Sequence, residues 1–180
     1  MTSIIKVDQI QKADGSVPTV KDLGLEAGSV IQCKAQTQTI GNTGDDADIT
    51  TTVVSATGIS GGLTINTVNF TPKYSDSLVL MQWSGMVQMT GAPTGGGDIF
   101  FTKDNANLLT SGGNRNAVGF IFHSDGPDDF YTMSSAQYSF TAGQTSQMAL
   151  KVVAAAYSSS RSIRFAHDGT TTLTVWEIAQ

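Results

Sequence analysis

Leu78-Val79-Leu80-Met81-Gln82-Trp83-Ser84-Gly85-Met86-Val87-Gln88-Met89 is the stretch that decides the fold class. In an extended chain successive side chains point to opposite sides, so Val79, Met81, Trp83, Gly85, Val87 and Met89 share one face, while Gln82, Ser84 and Gln88 lie on the other. One apolar and one polar face mark a half-buried strand of an antiparallel sheet. The same period of two recurs on both sides of this stretch. Alternation around Val30, Gln32 and Lys34 marks a strand over residues 28–40, and β-branched Thr50, Thr51, Thr52, Val53 and Val54 mark another over 49–56. Val68 and Phe70 share a face in 63–71, and Ile99 and Phe101 oppose Phe100 in 98–103. Further strands are expected over 118–123, built on Phe120 and Phe122, over 130–140, and over 162–167 and 171–178. Met148, Leu150, Val152 and Ala154 give one more strand its inward face.

The connections are rich in turn formers. Pro72 with Tyr74-Ser75-Asp76, and Thr141-Ala142-Gly143-Gln144, read as turns. Gly91 to Gly97 reads as a flexible loop, residues 105–116 as a polar loop, and Asp125-Gly126-Pro127-Asp128-Asp129 as a tight one. Asp168-Gly169 reads as a hairpin turn between the last two strands. Residues 19–23 alone look helical, one turn stopped by Gly24. Roughly nine strands with Gly-rich connections define an all-β antiparallel sandwich, most simply a jelly roll, over residues 28–180. The last strand is expected to pair centrally. No repeat of 20–50 residues points to a solenoid or propeller.

Residues 1–27 stand apart as an extended N-terminal arm with a polar turn at Ala13-Asp14-Gly15-Ser16. Ile4, Ile5, Val7 and Ile10, then Val17, Val20 and Leu23, are apolar, yet a segment this short cannot bury itself. It needs the surface of its own head or of a neighbouring chain. These seven residues are the candidate attachment residues of a building block in a larger assembly.

Composition narrows the function classes. Charged residues are 14% of the 180 and hydrophobic ones 39%, with mean hydropathy near zero; Thr, Ser, Gln, Asn and Gly fill the surface instead. A net charge of −5 with scattered Lys and Arg argues against nucleic acid, because a phosphate-binding face needs clustered cations. The single cysteine, Cys33, permits no internal disulfide framework and is expected half-buried in a strand. The expectation is synthesis in the cytoplasm without export, because the N-terminus has no apolar run of signal-peptide length. No stretch approaches membrane-spanning length, so no membrane insertion is expected.

No catalytic constellation emerges. His123 and His167 each end an expected strand, without a Gly-x-Ser-x-Gly or comparable signature, and read as backbone-bonded or interface residues. Gly91 to Gly97 lacks the Gly-Lys-Ser/Thr that grips phosphate and magnesium. Asp45, Asp46 and Asp48, and Asp125, Asp128 and Asp129, offer oxygens of the kind calcium takes, but the spacing is not that of an EF-hand, and solvated turns are the simpler reading. The chain is expected to be no enzyme and to need no cofactor or metal. For ligand binding the candidates are Asn114, Arg115, Asn116, Phe130 and Tyr131, because sugars pair an aromatic face with amide hydrogen bonds. The simpler reading of Phe130 and Tyr131 is as core residues at a strand start.

Val7-Asp8-Gln9-Ile10-Gln11, Val17-Pro18-Thr19-Val20-Lys21-Asp22-Leu23-Gly24-Leu25 and Gly28-Ser29-Val30-Ile31-Gln32 resemble the openings of small bacteriophage tail-fibre and virion-surface proteins. So do Phe70-Thr71-Pro72 followed by the strand from Leu78 to Trp83, and the closing Thr174-Val175-Trp176-Glu177-Ile178. The resemblance implies a homotrimer in the virion, its arms fixed to a tail adaptor, baseplate or major capsid protein and its heads facing a host surface glycan. One departure matters: such fibres often carry a shaft between arm and head, and here the arm runs almost directly into the head. A capsid decoration or cement protein is therefore the competing expectation. If the arm is the anchor, deleting residues 1–25 leaves a folded head that no longer joins particles, and normal incorporation of the truncated head would overturn the assignment.

Overall fold

The computed structural model describes residues 13–16, 24, 26–39, 63–90, 95–109, 117–123, 130–156, 162–165 and 169–180; at 39, 88–90, 95, 96, 120–123, 130, 131, 156 and 162–165 it describes backbone alone. Ten strands are described: β1 (Val30–Thr39), β2 (Leu63–Phe70), β3 (Leu78–Thr90), β4 (Gly95–Lys103), β5 (Ala106–Asn107), β6 (Gly119–His123), β7 (Phe130–Thr141), β8 (Met148–Ala156), β9 (Ser162–Phe165) and β10 (Thr170–Ile178). The chain is all-β, as its periodicity requires.

The pairing is nested. β1 pairs with β10, β2 with β8, β3 with β7 and β4 with β6, every pair antiparallel, as if the chain were one long ribbon folded back on itself. Rolling that ribbon brings β10 against β3 and β8 against β4. Two sheets result, β1-β10-β3-β7 with β9 beside β3, and β2-β8-β4-β5 with β6 beside β4. This is a jelly-roll sandwich. The C-terminal strand lies between β1 and β3, centrally, as expected from the sequence.

Val79, Met81, Trp83 and Val87 of β3 are buried, and meet Phe70, Ile99, Phe101, Met148, Leu150 and Val152 in the core between the sheets. The inward face read from Met148, Leu150, Val152 and Ala154 is therefore correct. Phe100, Val153 and Ala155, on the opposite face of the second sheet, are buried too, so that sheet is covered on both sides at this point, while Asn69 on the same face is exposed. Trp83 brings a polar atom into the core, and its indole Nε1 donates to Asn66 Oδ1 at 3.0 Å. Asn66 Nδ2 in turn donates to Gln36 Oε1 at 2.8 Å. This chain of amides ties β3, β2 and β1 together and satisfies groups that would otherwise be desolvated without partners.

Several sequence expectations are corrected. Gly95, Gly96 and Gly97 belong to β4 and pair with His123, Phe122 and Ile121 rather than forming a loop tip. Residues 105–116 are not all loop, because Ala106 and Asn107 pair with Lys103 and Thr102. The turn between is Asp104-Asn105, with φ of 51° and 69°, the left-handed pair of a two-residue type I′ hairpin. Asp168-Gly169 does not make a hairpin: β9 and β10 run in the same direction along one edge of β3, opposite 87–90 and 78–85 respectively. They are one strand interrupted at Met86. Cys33 is exposed rather than half-buried, because it lies on the solvent side of an edge strand. The strand expected over 49–56 and the helical turn over 19–23 lie outside the described residues; the turn at Ala13–Ser16 is present, with Ser16 N donating to Asp14 Oδ1 at 2.9 Å.

Gly85 sits where the chain can take no side chain. A Cβ there would lie 2.5 Å from Thr171 Cγ2 and 2.9 Å from the Trp83 ring. Gly85→Ala is therefore expected to destabilise the fold by about 1–3 kcal/mol through overpacking, read as a lower urea midpoint; an unchanged midpoint would mean that the core around Trp83 is loose.

Candidate functional site

The two ends of the sandwich differ. Residues 26–29 enter at the end where Val30, Ile178, Leu78 and Thr141 lie side by side. Gly28 N donates to Ala179 O at 2.9 Å and Ala179 N to Ser29 O at 2.8 Å, pinning the entry. The connections at this end are short and bonded. The Asp104-Asn105 turn is held by Asp104 N to Ala149 O at 2.9 Å and Ala149 N to Asp104 Oδ1 at 2.8 Å. The 142–147 connection is held by Ala142 N to Ser77 O and Gly143 N to Ser75 O.

The 71–77 connection is held by a buried carboxylate. Glu177 lies on the inward face of β10, fully buried. Its Oε1 accepts from Lys73 N at 2.8 Å and Tyr74 N at 2.9 Å, and lies 2.8 Å from Ser77 Oγ. Its Oε2 accepts from Gln32 Nε2 at 2.6 Å. With this many donors the carboxylate is satisfied without a cation, and it works as a clamp rather than as a reactive group. The sequence carried the signal, because the inward series Leu173, Val175, Glu177 places an acid where a hydrophobe is the rule.

At the opposite end lie Thr39, Leu63, Gly95, His123, Phe130, Ala156 and Ser162, the described flanks of 40–62, 91–94, 124–129 and 157–161. Residues 26–29 and the described flanks of these four segments thus lie at opposite ends of the sandwich.

The attachment candidates Ile4, Ile5, Val7, Ile10, Val17, Val20 and Leu23 lie outside the described residues, as do Asn114, Arg115, Asn116, His167 and both Asp clusters. Leu109 and Ala117 flank 114–116 beside the middle of β4, where Leu108 N and Val118 N donate to Phe101 O and Ile99 O. Phe130 and Tyr131 open β7, paired with Met89 and Gln88. Among the described residues there is no group of three or more His, Cys, Asp or Glu able to hold a metal, and no helix long and apolar enough to cross a membrane.

The remaining feature is the outer face of the first sheet. Its outward positions begin with Leu78 and Ile178, then Leu80, Trp176 and Cys33 in one row. The next rows hold Gln82, Thr174 and Gln137, then Ser84, Thr172 and Ser135, where Gln82, Ser135 and Gln137 line an open groove of about 350 Å³. No described outward position of β1, β3, β7 or β10 carries a charge. The two edges of this sheet also differ. β1 has a register shift at Val30/Gln32 and a Lys34 turned inward, its Nζ donating to Asn69 O at 3.0 Å; both devices discourage strand addition. β7 pairs with β3 over twelve residues without a shift, has no charge and no proline, and exposes Met133 by 66%.

Fold and site together define a jelly-roll domain with a two-ended plan and a sheet face whose charge by register is Arg164 of β9, opposite Gln88. No known family model matches the chain, and no curated protein matches it in sequence.

Replacing Glu177 tests the clamp. Glu177→Gln sets an amide N–H₂ against the Gln32 donor and is expected to lose about 1–3 kcal/mol, and Glu177→Ala more, since the part-buried backbone N–H groups of Lys73 and Tyr74 and the buried Ser77 hydroxyl lose their acceptor. Urea unfolding reads both; equal stability of Glu177→Ala and the parent would remove the clamp.

Proposed function

We propose that this chain is a non-enzymatic structural protein of a phage virion, a homotrimeric short tail fibre. Its N-terminal arm anchors it to the particle, and the connections at the far end of its head contact the host surface. The observation that carries this reading is the two-ended plan: the chain enters at the clamped end, and its longest connection, residues 40–62, leaves from the other. An attachment protein needs that polarity, with one end committed to the particle and the other free to meet a partner. Loops on a rigid sandwich are also where binding residues are most readily varied without disturbing the core. The partners are then a second and third copy of the chain, a tail adaptor or baseplate protein and, at the free end, a host glycan. Capsid decoration, with the arm on the major capsid protein, is the alternative that the near absence of a shaft favours.

Light scattering on the purified protein is expected to give a mass near three times 18.9 kDa, and a clean monomer would overturn the trimer. Electron microscopy of virions labelled with an antibody to this chain is expected to place label at the tail; label spread over the shell would replace the fibre by a decoration protein.

A further inference from the structure

We infer that the outer face of the first sheet, at its apolar end around Leu80 and Trp176, is the contact between copies of this chain; the inference rests on reading the protein as an oligomer. Leu78, Leu80, Trp176 and Ile178 are only partly buried there, and Val30 beside them is 59% exposed. Singly exposed apolar side chains need no explanation, but here they adjoin on neighbouring strands in register, which is how an interaction patch is built.

Charge selects the occupant. The chain carries 15 acidic and 10 basic residues, net −5, so two copies repel across most of their surface. They meet least repulsion at the apolar end of this face, because the charge it does carry by register, Arg164 of β9 opposite Gln88, lies at the other end. A basic or acidic partner would find nothing there to pair with, and would leave its own charges desolvated. Another copy brings the same neutral hydroxyls, amides and hydrocarbon, so no charge is desolvated and the polar groups can hydrogen-bond to their counterparts.

Size agrees. A contact that starts at the apolar end and runs on across the Gln82 and Ser84 rows has the whole face to use: four strands about 4.8 Å apart, over ten residues rising about 3.4 Å each, present roughly 19 by 34 Å, the order of the ~800 Å² per partner in a standard interface. The inward Lys34 and the shift at Val30/Gln32 close the β1 edge to strand addition, so a neighbour is directed onto the face and not onto that edge.

Cys33 reports on the face without any mutation, being the single cysteine of the chain, exposed, and the cross-strand partner of Trp176. The full-length protein is treated with a maleimide while its mass is followed by light scattering. The expected result is an oligomer in which Cys33 resists alkylation. Leu80→Glu, which puts a charge on the face, is expected to bring the mass to 18.9 kDa and to make Cys33 reactive. Gln82→Glu, at a position already exposed, is expected to shift dissociation to higher protein concentration while leaving circular dichroism unchanged. It keeps the test valid if Leu80→Glu fails to fold. An oligomer whose Cys33 reacts freely, or whose mass survives both substitutions, would overturn this face while leaving the trimer standing. A wild-type monomer would overturn both. Protection of Cys33 only when another virion protein or a lipid vesicle is added to a monomer would give the face to that partner, against the inference.

Discussion

Everything in this structure hangs on β3 being paired along both edges while its inner face is filled by Trp83. β7 covers one edge from Leu78 to Met89, and β10 followed by β9 covers the other. A strand held that way cannot slip by one residue, because a slip would turn Val79, Met81, Trp83 and Val87 out to solvent. The register of the first sheet is thereby fixed from its middle outward. Gly85 is part of the same constraint, since the Thr171 methyl occupies the space a side chain would need.

Buried polar groups hold the two sheets in relation to each other. The amide chain from Trp83 through Asn66 to Gln36 crosses between the sheets. Glu177 gathers the 71–77 connection onto β10 at the end where the chain enters. Each is satisfied by protein donors, so removing one member leaves several groups stranded. The entry end is thereby clamped, while the longest connection, residues 40–62, leaves from the other end.

The surface follows from how few charges the chain has. With 14% charged residues, the outer face of β1, β10, β3 and β7 can be left without a charge at its described positions, Arg164 of β9 standing at its far end. The guards against unwanted pairing are then placed unevenly, on β1 and not on β7. A monomer facing water would gain from charges on both edges; a subunit whose face is to be covered gains from their absence.

The sequence by itself determined that the fold is all-β and where most strands lie, because alternation over ten or more residues has no other satisfactory reading. It also determined the inward faces at Val79 to Val87 and Met148 to Ala154, since each is a local pattern. It misread the glycine-rich start of β4 as a loop, because Gly95 to Gly97 lack the side chains that signal a strand and are held by their partners on β6 and β8. Glu177 was visible as an acid at an inward position, yet its donors at Gln32, Lys73, Tyr74 and Ser77 come from distant parts of the chain. Only the tertiary structure decided that β9 and β10 share one edge of β3 instead of folding as a hairpin. The same holds for the outer face of β1, β10, β3 and β7, whose residues come from four strands scattered between Cys33 and Ile178. Those depend on which strands become neighbours when the ribbon rolls up, and a period of two says which way a side chain points, never what lies beside it.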